Sequence, residues 1–344
     1  MSNFFQVVIV GAGPGGLSVA AALIDAGLEP KELLVIDRGV IGQAWLEYPN
    51  DTRLISESTK SHDDNMIADV KTSDVFNNIP HPSHRMYQKY LAHVADTKKI
   101  PTRQNTQIMK VAFDQVKQEF VLWTRADEEV RTKYLVWATG MYSNPNESLE
   151  SEGAYTHYAR LAYLDELDAT EVTIVGGANG ASGLVMQLAK PGRVVILVTA
   201  HDYIVPEPVD CLWKEHMKFV KELELQGLVK IIENFRVKRI YSQDKHFVLE
   251  SESGQQLASA TRPIMCTGFL PNIELIKEFV AEGQDDRAEC LDLDTHHQSK
   301  KQPGLYIGGV IGKLEHDQGF IAQFRLFGKK IARSLMQKIS TQAA

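Results

Sequence analysis

The 344-residue chain holds only three cysteines, Cys211, Cys266 and Cys290, and no two of them stand in a Cys-x-x-Cys. That excludes a disulfide framework and the paired thiols of a dithiol relay. Long apolar runs are missing too; none approaches the ~20 residues of a spanning helix. There is no basic excess, the net charge being -7, so neither nucleic acid nor membrane insertion is expected. The first apolar strand begins within a few residues of Met1 and leaves no room to read a signal peptide; a cytoplasmic protein is expected. His81, His84, His296, His297 and His316 lie in loop-like segments without matched acidic or thiol ligands, so no metal site is expected.

What remains is an ordinary globular composition at a length that suggests two domains. The chain is organised around Gln6-Val-Val-Ile-Val-Gly-Ala-Gly-Pro-Gly-Gly-Leu17. Residues 7–10 form an apolar run suited to a strand buried on both faces. Gly11, Gly13 and Gly16 follow as Gly-x-Gly-x-x-Gly, with Pro14 and Gly15 between them, and an Ala-rich helix is predicted over 17–26. Gly11 permits the tight turn, Gly13 lets backbone approach a pyrophosphate, and Gly16 lets helix pack on strand. A second run, 33–37, ends in Asp37, placed to hold a ribose hydroxyl. The pattern predicts dinucleotide binding.

After a Pro-containing loop and a helix over 85–95, three strands (106–112, 119–125, 129–137) form a meander ending in Ala138-Thr139-Gly140. The order then repeats. A strand over 171–175 leads into Gly176-Gly-Ala178-Asn179-Gly180-Ala, then a helix over 182–189 and a strand over 193–198. A helix over 213–226 and strands at 229–232, 236–241, 246–250 and 257–265 end in Cys266-Thr-Gly268. The tail departs from the repeat: a strand over 304–310 ends in glycines. A helix from about Gly319 then places Phe320, Phe324, Phe327, Ile331 and Leu335 on one face. The fold expected is α/β, with two Rossmann-like domains, each a βαβ unit plus a meander, the second inserted into the first. The boundaries expected are 1–160 with 295–344, and 161–294.

Taken together, these motifs resemble the two-dinucleotide-fold flavoproteins, which bind FAD in the first unit and NAD(P)H in the second. Within them, Gly42-Gln43-Ala44-Trp45, Ala138-Thr-Gly-Met-Tyr-Ser-Asn-Pro145, Cys266-Thr-Gly-Phe-Leu-Pro271 and Phe320-Ile-Ala-Gln-Phe-Arg325 resemble small flavin monooxygenase-like and CzcO-type flavoproteins. The segment 306–311 is similar to bacillithiol disulfide reductases. Those reductases carry a cysteine in the first glycine loop, where this chain has Gly15. The inter-domain motif of flavin monooxygenases is half-kept: Gly153 and His157 match, but Ser151 and Leu161 replace its aromatics.

The resemblance implies that FAD contacts Gly11, Gly13, Pro14, Gly15, Gly16, Asp37, Arg38, Gln43, Ala44, Trp45, Ile108, Ala138, Thr139, Gly140, Gly309 and Phe320. It implies that the nicotinamide dinucleotide contacts Gly176, Ala178, Asn179, Gly180, His201 and Gly268. No arginine follows the strand ending near 198, so NADH, or little discrimination with His201 as a weak partner, is expected over strict NADPH. No residue is singled out as a general acid or base. The activity implied is reduction of FAD by NAD(P)H with electrons passed to oxygen or a small acceptor. A low-molecular-weight disulfide reductase is one alternative, and a flavin-bearing sensor with a degenerate second site is the other. A small-molecule substrate is the expected partner, and a homodimer is compatible with the sequence.

Overall fold

The computed structural model describes residues 3–49, 52–151, 153–161, 169–203, 214–281, 291–314 and 320–343. Cys211, Cys290, His316 and Gly319 lie outside them. In chain order the first strands and helices are β1 (Phe4–Val10), α1 (Pro14–Asp25), β2 (Leu33–Ile36), α2 (Ser73–Phe76), α3 (His84–Thr97), β3 (Thr102–Arg103), β4 (Ile108–Asp114), β5 (Glu119–Thr124) and β6 (Glu129–Trp137). Then come β7 (Glu150–Ser151), β8 (Thr156–His157), β9 (Glu171–Val175), α4 (Asn179–Leu188), β10 (Val194–Val198), α5 (Lys214–Leu225) and β11 (Val229–Ile232). The last are β12 (Val237–Gln243), β13 (His246–Ser251), β14 (Gln256–Ser259), β15 (Ile264–Met265), β16 (Leu305–Ile307) and α6 (Ile321–Ala343).

Two compact units result: Met1–Glu47, Thr52–Asn144 and Leu270–Ala344 form the first, Tyr48–Asp51 and Pro145–Phe269 the second. In the first, a seven-stranded sheet runs β3-β2-β1-β6-β5-β4, with β16 also paired to β6. Successive residues of β1 point to opposite faces: Val7 and Ile9 join the core under α1 and α3, Val8 and Val10 the core on the other side. Both faces are covered, which is why the strand reads as an unbroken apolar run. α1 begins at Pro14, three residues before the predicted start, because Gly13 takes the N-cap position and proline suits the first turn. α6 lies against α1 at backbone distance: a Cβ on Gly328 would come within 2.6 Å of the Ser18 carbonyl oxygen.

The second unit has a parallel sheet β11-β10-β9-β15-β8 and a separate sheet β14-β13-β12-β7. The strand expected over 257–265 is two strands, one in each sheet. Pro263 and the turn closed by Ser259 Oγ donating to Thr261 O (2.7 Å) break it. Here the meander leaves the main sheet, whereas β4 to β6 in the first unit stay within it.

The unit boundaries also differ from the expected 160/161 and 294/295. β7 pairs with β12 and β8 with β15, which draws 145–160 into the second unit. Ile276, Phe279, Val280, Leu291 and Leu293 enter the core of the first. Asn272 anchors that return. Its carbonyl accepts from Trp137 Nε1 (2.6 Å) and Thr139 Oγ1 (2.9 Å), and its N–H donates to Gly140 O (3.1 Å). No helix of the described residues is long and apolar enough to cross a membrane.

Candidate functional sites in the two glycine loops

The first loop is wedged on its inner side and open on its outer side. Gly11 has φ +111°, and a Cβ there would run into the Ala138 carbonyl oxygen. A Cβ on Gly16 would run into the Gly11 carbonyl oxygen, and one on Gly15 would lie 2.5 Å from Gly309 Cα. A Cβ on Gly13 would meet no atom within 4 Å. α1 opens there with no side-chain cap and no acidic residue in its first turn, so its first N–H groups and dipole face outward.

Asp37 closes the loop against the end of β2. Its Oδ2 accepts from Ala12 N–H (2.7 Å) and its Oδ1 from Gly39 N–H (2.8 Å). Burial raises its pKa, an effect opposed by these two donors and by the Arg38 charge. Each oxygen keeps acceptor capacity for a further donor.

The structure gathers most of the remaining residues of this set at the same sheet edge. Gly42 N–H donates to Ala12 O (3.0 Å), and Thr106 N–H to Asp37 O (2.8 Å), which brings buried Ile108 alongside. A Cβ on Gly308 would lie 3.2 Å from the Ala138 methyl. Gln43 folds back on its own loop, accepting from Val40 N–H and donating to Glu47. Ala44 and Trp45 lie in the short helical turn Gln43–Leu46, and the Trp45 ring meets Tyr87 edge-on at 4.6 Å. Arg38 reaches Glu47 at 3.6 Å, an exposed pair of small worth. Phe320 stands at the head of α6, its N–H donating to Gln323 Oε1.

The second loop repeats this plan. Gly176 N–H donates to Val198 O (2.9 Å) as Gly11 N–H does to Ile36 O (2.7 Å). Gly176 has φ +142°, and its Cβ would run into the Cys266 carbonyl oxygen, the counterpart of Ala138. α4 starts at Asn179 after the N-cap Ala178, again with no side-chain cap and no acid in the first turn. The Tyr158 ring stands 3.6 Å from where a Gly180 Cβ would be. Ser182 Oγ and Tyr203 OH, 2.6 Å apart and buried, tie α4 to the end of β10.

His157 is a structural pin in this unit. Its Nε2 donates to Gly268 O (3.0 Å) and its Nδ1 accepts from Ala159 N–H (3.2 Å), which fixes the neutral tautomer. Burial lowers its pKa, partly countered by the Gly268 carbonyl. The neighbouring Ser151 hydroxyl accepts from Ala154 N–H (3.1 Å), a turn contact in place of an aromatic. Cys266 is buried, and burial raises its thiol pKa well above the ordinary value. It is a packed small side chain. Among the described residues no group of three or more His, Cys, Asp or Glu could hold a metal ion.

Two features escape a reading by sequence neighbourhood. Asn272 follows the second Thr-Gly turn yet serves the first unit. Arg236, 35 residues beyond His201, places its Nη2 2.8 Å from His201 Nε2. The internal repeat was the available signal for Arg236, because the chain turn after β11 must match the one after β3.

Two glycine loops in one register, each ahead of an uncapped helix, give the arrangement expected of a two-dinucleotide fold. The chain belongs to the pyridine nucleotide-disulphide oxidoreductase family, whose model matches residues 8–309. It is 29% identical over 165 residues to an NADH oxidase of Enterococcus faecalis; the match covers 46% of this chain but only 36% of that protein. The fold is similar to bacillithiol disulfide reductase from Staphylococcus aureus, with TM-score 0.81 and 19% identity over 97% of this chain and 99% of that one. It is also similar to a flavin-containing monooxygenase from Stenotrophomonas maltophilia, with TM-score 0.75 and 14% identity over 98% and 100% of the two chains. At such identities the likeness is one of fold.

Proposed function

We propose that the first unit holds FAD and the second a nicotinamide dinucleotide. The chain is then an FAD-dependent NAD(P)H oxidoreductase that hands electrons directly to oxygen or a small acceptor, as flavin monooxygenase-like proteins do. The observation that carries this reading is the repeated loop, closed inward by backbone contacts and open outward at Gly13, ahead of a helix with no capping side chain. When bound, FAD would supply acceptance of a hydride and the passing on of its two electrons.

The residues of the chain bind and orient. The N–H groups of Gly15 and Gly16 and the α1 dipole balance the diphosphate charge. Asp37 accepts from ribose hydroxyls with the lone pairs that Ala12 and Gly39 leave, and backbone at Ile108 meets the adenine. Residues 43–45, 138–140, Gly309 and Phe320 enclose the remainder of the cofactor. In the second unit Gly176, Ala178, Asn179 and Gly180 meet the nicotinamide cofactor's diphosphate, and Gly268 its nicotinamide end. A cytoplasmic location and a small-molecule partner go with this reading.

Among the described residues, two observations disfavour a thiol relay. Cys266 is buried, and a side chain at position 15 would collide with Gly309 backbone. The test is an absorption spectrum of the purified protein, taken before and after anaerobic NADH and NADPH, then during reoxidation. A yellow protein that bleaches with nucleotide and reoxidises in air supports the proposal. Reoxidation by a low-molecular-weight disulfide but not by oxygen transfers it to the reductase alternative. A colourless protein that takes up no FAD ends it.

A further inference from the structure

The internal repeat can be followed residue by residue at the far end of each sheet. Ile36 pairs with Arg103, and Val198 with Ile232. Asp37 N–H donates to Arg103 O (3.0 Å), and Thr199 N–H to Ile232 O (2.8 Å). Thr106 N–H then donates to Asp37 O (2.8 Å), and Phe235 N–H to Thr199 O (2.9 Å). Position 199 is therefore the counterpart of 37, position 235 of 106, and position 236 of 107, the residue before Ile108. Each nucleotide's adenosine end lies at this edge if the proposed function holds, and the present inference rests on that reading.

The two edges differ in charge. Asp37 suits a free ribose diol and repels a phosphate; Thr199, in its place, has a hydroxyl that donates to His201 O (2.6 Å). Arg236 brings a permanent cation to the position beside it, with Nη2 2.8 Å from His201 Nε2. A guanidinium only donates, so Nε2 is the acceptor. Both side chains are exposed. Of the acids nearby, Asp202 Oδ1 accepts from Asn234 Nδ2 (2.6 Å), and Glu252 makes a long, exposed ion pair with Arg236 Nε (3.8 Å) that is of small worth and leaves the Nη groups to a phosphate.

We propose that Arg236, with His201 as its partner, recognises the 2′-phosphate on the adenosine ribose of NADPH. This reverses the expectation of NADH drawn from the residues that follow β10 in sequence. The guanidinium fork takes two phosphate oxygens.

The experiment is calorimetric titration of the FAD-loaded full chain with NADP⁺, NAD⁺ and adenosine 2′,5′-bisphosphate, none of which reduces flavin. Tighter binding of NADP⁺ than NAD⁺ by about tenfold or more is expected. Arg236→Ala should remove that preference and weaken adenosine 2′,5′-bisphosphate by a similar factor, with NAD⁺ and the melting temperature unchanged. Arg236→Lys should recover part of it. Equal affinity of the wild type for NADP⁺ and NAD⁺, or an Arg236→Ala protein that still prefers NADP⁺, overturns the inference but leaves a nucleotide site in place. Failure of all three probes to bind overturns the second nucleotide site itself.

Discussion

Gly13 and Gly16 lie in one loop, yet alanine should act on them in opposite ways. At Gly16 the new methyl would sit 3.1 Å from Gly11 C and 3.2 Å from Ile9 Cγ2, and closer still to the Gly11 carbonyl oxygen. All but one of these atoms are backbone of the strand–turn junction, so relief needs the loop to open. Overpacking of this kind costs up to about 3 kcal/mol. Alanine's helix propensity returns about 1 kcal/mol, for a net loss of roughly 2 kcal/mol, or a fall of about 4–8 °C in melting temperature for a domain of this size. At Gly13 the backbone is extended (φ -82°, ψ -176°) and a Cβ meets nothing. The weaker N-cap and the lower entropy of the unfolded chain nearly cancel, leaving the change within about 0.5 kcal/mol. The methyl occupies the space proposed for the diphosphate. Loss of one charge-assisted hydrogen bond there costs about 1.5–3 kcal/mol, or ten- to a hundredfold in FAD affinity. Calorimetric melting of FAD-free protein reads the first effect, and the ratio of flavin to protein absorbance after dialysis reads the second. A Gly13→Ala protein that holds FAD as tightly as the wild type would refute the reasoning.

The pinned imidazole of His157 makes a pH prediction. Its folded pKa is lowered by burial, so its contribution is complete above the unfolded value of about 6.5 and is lost as pH falls through the lower folded value. Denaturant melts of the wild type should weaken across that window, and those of His157→Gln should weaken less. Cys266 should resist alkylation in the native state and react only on unfolding, as peptide mass mapping would reveal; Cys266→Ser should leave flavin reduction by nucleotide intact. Tyr203→Phe removes the 2.6 Å bond to Ser182 and should cost about 1 kcal/mol in a urea melt. Gly15→Cys, which would restore the loop thiol of the bacillithiol enzymes, should lower the melting temperature by several degrees and confer no disulfide reduction, because Gly309 leaves it no space.

Much of the architecture was legible because backbone demands are written in residue types. The apolar run of β1, the glycines that follow and the acid ending β2 are each dictated by local geometry, and their recurrence at 171–181 announced the second unit. Positions set by pairing over long separations were not legible. The boundaries fell elsewhere than expected because β7 and β8, two residues each, carry too little pattern to reveal which sheet they join. The break at Pro263 was visible as a proline, but not the change of sheet it permits.

The site shows the same division. The loops themselves could be read directly, since a glycine jammed against backbone has no substitute. Charge at the edge proposed for the adenosine end could not, because it is assembled from two strand ends: Asp37 lies in sequence beside the strand it serves, whereas Arg236 reaches the end of β10 from the turn after β11. The two units share the register of these hydrogen bonds while the side chains at matching positions differ. Function is therefore best sought where two equivalent positions share backbone bonds and differ in charge, and the pair 37 and 199 meets that description.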